Sequence, residues 1–361
     1  MRKLARLAMP GLALGLLGFG LAACDGPQSV LSSTGADAIA LERLFWVMLT
    51  GATIVWILVN GLIFYVTRLY RGSMSPRLAQ ALIIGGGILF PLTVVTALLV
   101  YGLSSMPEQR ALGDGVQVRV TGEQWWWRVE YWPAGADTSA PPAAVSANEI
   151  RLPAGSRAEI ALTAAKVIHS FWIPALGGKT DMFPGRVTRM SLEPLTPGVF
   201  RGQCAEFCGE SHALMALNAV VMEPQAFDDW LAAEGGPAQP PQGDTARRGA
   251  EVFAEQGCGA CHAVRRDSAG QDADPAATPE QTGDSPRPDA TPVALGAVGP
   301  DLTHLGRRTS LAAGILPMNR ASLVKWIRAP GAIKPGATMP GYDHMDPADL
   351  DALATYLEGL K

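Results

Sequence analysis

The chain has 361 residues, a hydrophobic fraction of 48%, a formal net charge of -4 and five cysteines. That length holds two or three domains rather than one core, and the mild acidity speaks against nucleic acid as a partner. The apolar residues are bunched into three runs near the N-terminus, the distribution of a membrane protein and not of a single globule.

The first run follows Arg2, Lys3 and Arg6 and reads LAMPGLALGLLGFGLAAC, the charged, apolar and small-residue zones of an export signal. Residues 1–23 are therefore expected to be removed. Leu21-Ala22-Ala23-Cys24 resembles a bacterial lipoprotein box, which makes Cys24 the lipidated first residue of a periplasmic segment 24–43. The alternative is an ordinary signal peptide whose cysteine is incidental.

The second and third runs, 44–66 and 81–103, carry no charged side chain. Each is long enough at 1.5 Å per residue to cross a hydrocarbon layer of ~30 Å, so 44–104 reads as two transmembrane helices. The loop between them holds Arg68, Arg71 and Arg77 and no acid, whereas Asp25, Asp37 and Glu42 precede the first span. The positive-inside rule then places the loop in the cytoplasm and Cys24 and everything beyond residue 104 outside. Gly85, Gly86 and Gly87 would let a neighbouring subunit approach closely.

Within a domain expected over 105–232, residues 114–222 alternate in the manner of strands, as at Val116, Val118 and Val120 and at Ile150, Ile160 and Leu162. Short strands without a long amphipathic helix predict a β-sandwich. A Pro/Gly linker is expected at 233–243, followed by a domain over 244–361 with helices at 245–257 and 346–360. Asp346 and Pro347 are the N-cap and first position of the second helix. The stretch 265–292 has almost no bulky apolar residue and reads as a loop insertion.

The sandwich ends on QCAEFCGESHALM, Gln203 to Met215. Cys204 and Cys208 as a disulfide is one reading in an oxidising compartment. It leaves His212 and Met215 unexplained. A thiolate, imidazole and thioether set suits copper, and zinc rarely takes methionine. Two thiolates this close can bridge two coppers, an arrangement for electron transfer. A second histidine is then required; His262 belongs to another motif and His304 and His344 to the other domain, which leaves His169 in VIHSFWIP.

His169 together with C-A-E-F-C-x-x-x-H-x-x-M resembles the dinuclear copper (copper A) domain of subunit II of haem-copper cytochrome c oxidases. The two N-terminal spans and GEQWWWRVEYW at 122–132 extend the likeness. The resemblance implies a cupredoxin-like sandwich in which Cys204 and Cys208 bridge, His169 and Met215 serve one copper, and His212 and the Glu206 carbonyl serve the other. It also implies that the Glu206 side chain holds a magnesium or manganese ion against subunit I, and that electrons enter at Trp125. Successive strand residues face opposite sides, so Trp126, or Trp125 and Trp127 together, is expected to be exposed or interfacial. Ile84 stands where the family carries an acid near the start of its second span, which puts proton uptake through this subunit in doubt.

Cys258-Gly-Ala-Cys261-His262 is the c-type haem attachment pattern, with both thiols bonded to the haem and His262 axial. A zinc half-site is the alternative and lacks partner cysteines. The distal ligand is expected to be Met339, ahead of Met345 and Met318. VGPDLTHLGRR resembles the class I cytochrome c segment whose proline, here Pro300, backs the haem histidine, and His304 in it reads as a surface residue.

The chain is thus expected to be multidomain: a two-helix transmembrane hairpin, a cupredoxin-like β-sandwich and an all-α class I cytochrome c domain. The resemblance implies the electron-input subunit of a terminal cytochrome c oxidase in the bacterial inner membrane, both redox domains periplasmic. It would relay electrons from a c-type cytochrome or another donor, through covalent haem c and dinuclear copper, to subunit I, with subunit III as a further neighbour. Alternatives are the equivalent subunit of a nitric oxide reductase, or a membrane-tethered copper chaperone, which would have no use for Met215 or a fused haem.

Overall fold

Two apolar helices open the chain. The computed structural model describes residues 26, 28–109, 112–265 and 294–361, so the export signal, Cys24 and nearly all of 265–292 lie outside the described residues. Helix α1 (Ala36–Phe64) continues as a π turn, and α2 (Pro76–Ala81) runs through a π stretch, Leu82–Leu89, into α3 (Phe90–Gln109). Ser75 caps α2 by accepting from the Leu78 N–H, and Pro76 takes the position where no N–H is needed. Both spans are long and apolar enough to cross a membrane, and neither buries any of its apolar window inside the protein. They contain the stretches 44–66 and 81–103 but run further. The extra N-terminal turn of α1 docks on the next domain: Arg157 pairs with Asp37 at 3.0 Å and with Glu193 at 2.8 Å, and the Thr34 N–H donates to the Ala175 carbonyl at 2.8 Å.

The strands form two five-stranded sheets. The first has the order β3-β2-β1-β5-β8, from β1 (Gln117–Gly122), β2 (Trp127–Trp132), β3 (Ala144–Ala147), β5 (Ala158–Ala164) and β8 (Thr188–Leu192). The second has the order β4-β10-β9-β6-β7, from β4 (Glu149–Pro153), β10 (Ala216–Met222), β9 (Gly198–Cys204), β6 (His169–Trp172) and β7 (Thr180–Met182). β1 pairs parallel with β5, and β4 parallel with β10, so the two sheets close as a sandwich and not as a simple meander. The alternation reads directly onto the core: Val118 and Val120 from β1 and Ile160 and Leu162 from β5 point inward at no more than 2% exposure. Each such side chain contributes about 1.5–3 kcal/mol on burial.

Helix α4 (Pro224–Gly235) covers the sandwich and ends inside the stretch expected to be a free linker. Beyond it, Ala238 is buried and its N–H donates to the Arg265 carbonyl at 2.8 Å. The C-terminal domain packs α5 (Gly243–Glu255) across α8 (Pro347–Glu358), with α6 (Arg320–Arg328) against α8 and a short α7 (Pro330–Ile333) after it. Asp346 caps α8 through the Ala348 N–H at 2.8 Å. This domain has its own core, centred on Phe253, Leu353 and Tyr356. Its only sheet among the described residues is two ribbons of two-residue strands, Ala263–Val264 with Ala294–Leu295 and Ser310–Leu311 with Leu316–Pro317.

The sandwich and the C-terminal domain meet along β4, the loop before β10 and the segment 307–314. Glu149 accepts from the Thr309 N–H at 2.8 Å and from its hydroxyl at 2.6 Å, Arg151 donates to the Arg307 carbonyl at 2.9 Å, and Arg201 donates to the Gly314 carbonyl at 2.9 Å.

Candidate functional site

Cys204 is the last residue of β9 and Met215 immediately precedes β10. The Cys204 N–H donates to the Met215 carbonyl at 2.9 Å, which pinches the intervening loop shut. His169 opens β6, the neighbour of β9 in the same sheet. The two sulfurs lie 3.7 Å apart and are free thiols, against about 2.05 Å for a disulfide. Each histidine faces a different sulfur: His169 Nδ1 is 3.7 Å from Cys204 Sγ and His212 Nδ1 is 3.6 Å from Cys208 Sγ. Met215 Sδ stands 3.9 Å from Cys208 Sγ, and the Glu206 carbonyl 3.2 Å from Cys204 Sγ. The Glu206 side chain is exposed, as is Phe207 beside it.

His169, Cys204, Cys208 and Met215 are all buried, and the ligand atoms of the first three lie within 4.8 Å of one another. A Cβ on Gly122 would meet His169 Cδ2 at 2.6 Å, so the imidazole lies directly on the bare end of β1. Two thiols, two imidazoles, a thioether and a carbonyl exceed the four donors of a zinc site. The soft set suits copper. The hydrogen bond from the neighbouring Cys208 draws the Cys204 thiol well below the usual range, while that bond and burial push Cys208 up. Bound cations would favour the thiolate form of both cysteines.

The second cluster follows α5. The His262 ring contacts the Pro300 carbonyl through Nδ1 at 2.8 Å; a carbonyl only accepts, so Nδ1 carries the hydrogen and Nε2 is left as a metal donor. Burial lowers the pKa of His262, favouring the neutral ring a metal needs. A Cβ on Gly299 would meet His262 Cε1 at 2.5 Å, the same close seating that Gly122 gives His169. Cys258, Cys261, His262 and Met339 line one cavity of about 290 Å³. Met345 lies in the domain core and Met318 borders a separate cleft near the C-terminus, so Met339 is the methionine of the three that faces the cavity.

Arg308 also lines this cavity. It is 7% exposed, donates through Nη2 to the Asp301 carbonyl, and its Nε has no partner among the described residues. A buried cation with a spare N–H fits the carboxylates that a haem carries, so cysteine pair, histidine, thioether and cation together fit covalent haem c. Nothing in the pattern GRR distinguished Arg308 from Arg307. His304 is a correction: it is 1% exposed and hydrogen-bonds through Nε2 to the Gly236 carbonyl at 3.0 Å, because its segment tucks under the end of α4.

The family model described as cytochrome c oxidase subunit II, periplasmic domain, matches residues 116–223, and that of cytochrome c matches residues 246–361. A curated relative named cytochrome c oxidase subunit 2 in Bacillus sp. (strain PS3) is 32% identical over 74% of this chain and 69% of its own. The chain belongs to the cytochrome c oxidase subunit 2 family. The relative of that name in Alkalihalophilus pseudofirmus is 35% identical over 71% of this chain, which spans 64% of the relative's length. Among solved structures, the periplasmic domain of subunit II of cytochrome oxidase of Bradyrhizobium japonicum is 31% identical, with TM-score 0.28, covering 33% of this chain and 92% of that one.

The tryptophan triplet divides at the start of β2: Trp125 and Trp126 lie in the preceding turn and are half-buried, and only Trp127 belongs to the strand. Trp127 is fully buried in the sandwich core, with its backbone N–H on Asn148 Oδ1 at 2.9 Å. Trp126 lies under Arg128, whose guanidinium carbon is 4.9 Å from the ring centroid. Trp125 stands between the two sites: its Nε1 donates to the Cys208 carbonyl at 3.0 Å, and its ring lines the cavity that holds Cys258 and His262. Gln124 reaches the same carbonyl at 3.2 Å.

Proposed function

We propose that this chain is the electron-input subunit of a terminal cytochrome c oxidase in a bacterial inner membrane, with both redox domains on the outer side. The observation that carries it is the sharing of Trp125 between the thiol cluster and the cytochrome cavity. When bound, covalent haem c and a copper pair supply one-electron redox levels, the first toward an external donor and the second toward an oxygen-reducing haem-copper subunit I.

The chain's own residues do the holding. Cys258 and Cys261 would anchor the haem covalently, His262 and Met339 would be its axial ligands, and Arg308 would face its carboxylates. Cys204 and Cys208 would bridge the coppers, with His169, His212, Met215 and the Glu206 carbonyl as outer ligands. Burial of His169, Cys204, Cys208 and Met215 would exclude water from the bound coppers. Pro300 fixes the His262 tautomer. The exposed Glu206 carboxylate and Phe207 form the outward rim of the copper loop, where a partner subunit or a magnesium or manganese ion would be met. Helices α1 and α3 would tether the assembly, and the docking of Asp37 on Arg157 ties the first span to the copper domain.

The test is metal and haem analysis of the purified full chain with an electron spin resonance spectrum. Two coppers per haem, with one unpaired electron spread over both coppers, is the expected result. One copper per chain would favour a copper carrier instead.

A further inference from the structure

Lys334 has no place in the ligand sets above. It follows α7 in a loop rich in proline and glycine and is 4% exposed. Its ammonium donates to the Trp125 carbonyl at 2.5 Å and to the Ala312 carbonyl at 3.2 Å. Both acceptors are neutral, and among the described residues no carboxylate forms an ion pair with it. Burial pushes the Lys334 pKa down to about 7, and its two hydrogen bonds recover part of the cost of desolvating the amine.

The next residues continue the contact. The Pro335 carbonyl accepts from the Ser211 hydroxyl of the copper loop at 2.5 Å. Gly336 lies against the Trp125 ring, where a Cβ would come within 2.7 Å of Cη2. Three residues further, Met339 lines the cavity with His262. Lys334 to Met339 is therefore a strap from the copper loop to the distal side of the cytochrome site. Its anchor on the cytochrome side is a turn whose backbone is left-handed at Ala312, Ala313 and Gly314, with φ of 54°, 61° and 77°. All three carbonyls of that turn are captured: by Lys334, by the Ala216 N–H at 3.1 Å and by Arg201 at 2.9 Å.

We infer that Lys334 is a positioning residue: it pins the strap and the Trp125 peptide to the 312–314 turn, and so holds the indole between the copper loop and the haem cavity while Met339 stays seated. The inference rests on the relay reading for its functional consequence. Its structural half stands on the contacts alone.

The test compares K334M and K334R with the wild-type chain in the assembled, metal-loaded oxidase, and measures amide hydrogen exchange of segments 123–127 and 334–339 in the full chain. K334M should speed exchange in both segments. It should also slow haem-to-copper electron transfer, followed by flash photolysis, by about tenfold, the loss of one charge-assisted hydrogen bond read as a barrier. Haem and copper content should not change. K334R, which keeps a charged donor, should recover most of the rate. A K334M rate within about twofold of wild type, or K334R as slow as K334M, overturns the inference. Should K334M fail to fold, K334Q replaces it under the same criteria. If wild-type protein carries no haem or copper pair, the relay reading fails by itself, and hydrogen exchange alone decides whether Lys334 pins the strap.

Discussion

The indole N–H of Trp125 donates to the carbonyl of Cys208 at 3.0 Å, so the residue that borders the cavity of the C-terminal domain is bonded to the backbone of the loop carrying the thiol pair. Trp125→Phe keeps a ring in the same place and removes that bond, worth about 1 kcal/mol. Electron transfer between the two centres should slow severalfold, with copper and haem content intact. Time-resolved absorbance after photoreduction reads this directly, and an unchanged rate would remove Trp125 from the route.

Gly122→Ala places a methyl group 2.6 Å from His169 Cδ2. Neither β1, paired on both edges, nor the fully buried imidazole has room to move. Overpacking of this kind costs about 1–3 kcal/mol. Thermal unfolding should show the loss, and copper titration should show weaker binding because His169 is displaced from Cys204.

Met339→Leu should leave haem attached through Cys258 and Cys261 and lower its midpoint potential, since a thioether ligand raises it. Met345→Leu, in the domain core, should leave the potential alone. Spectroelectrochemical titration of the two variants separates them, and the opposite ranking would make Met345 the ligand.

Glu234, at the end of α4, is 2% exposed, and burial raises its pKa from 4.5 to about 7 despite the nearby Arg308 and Arg151. The folded state therefore binds more protons than the unfolded state between these values, and stability falls as pH rises through that window. The full swing is about 3 kcal/mol. Glu234→Gln should flatten the pH dependence of the denaturation midpoint from pH 4.5 to 8 and stabilise the protein at the alkaline end.

The two candidate donor clusters were legible in one dimension. Cys204, Cys208, His212 and Met215 lie in a single loop, and Cys258, Cys261 and His262 in a single turn, so their donor types and spacing already state a ligand set. The two apolar spans are likewise a pattern of charge and length. Strand alternation foretold the sandwich, because inward and outward positions along β1 and β5 repeat every second residue.

Other features were decided only by tertiary structure. Arg307 and Arg308 are adjacent and chemically identical, and only packing turns the second into the cavity lined by His262 and Met339. Lys334 and Trp125 are 209 residues apart and meet across a domain boundary. His304 reads as a surface residue until the segment around it folds beneath α4. Local sequence encodes periodicity and ligand chemistry, which act over a few residues. Contacts between domains depend on which surfaces are complementary once each domain has formed, and no local repeat records that.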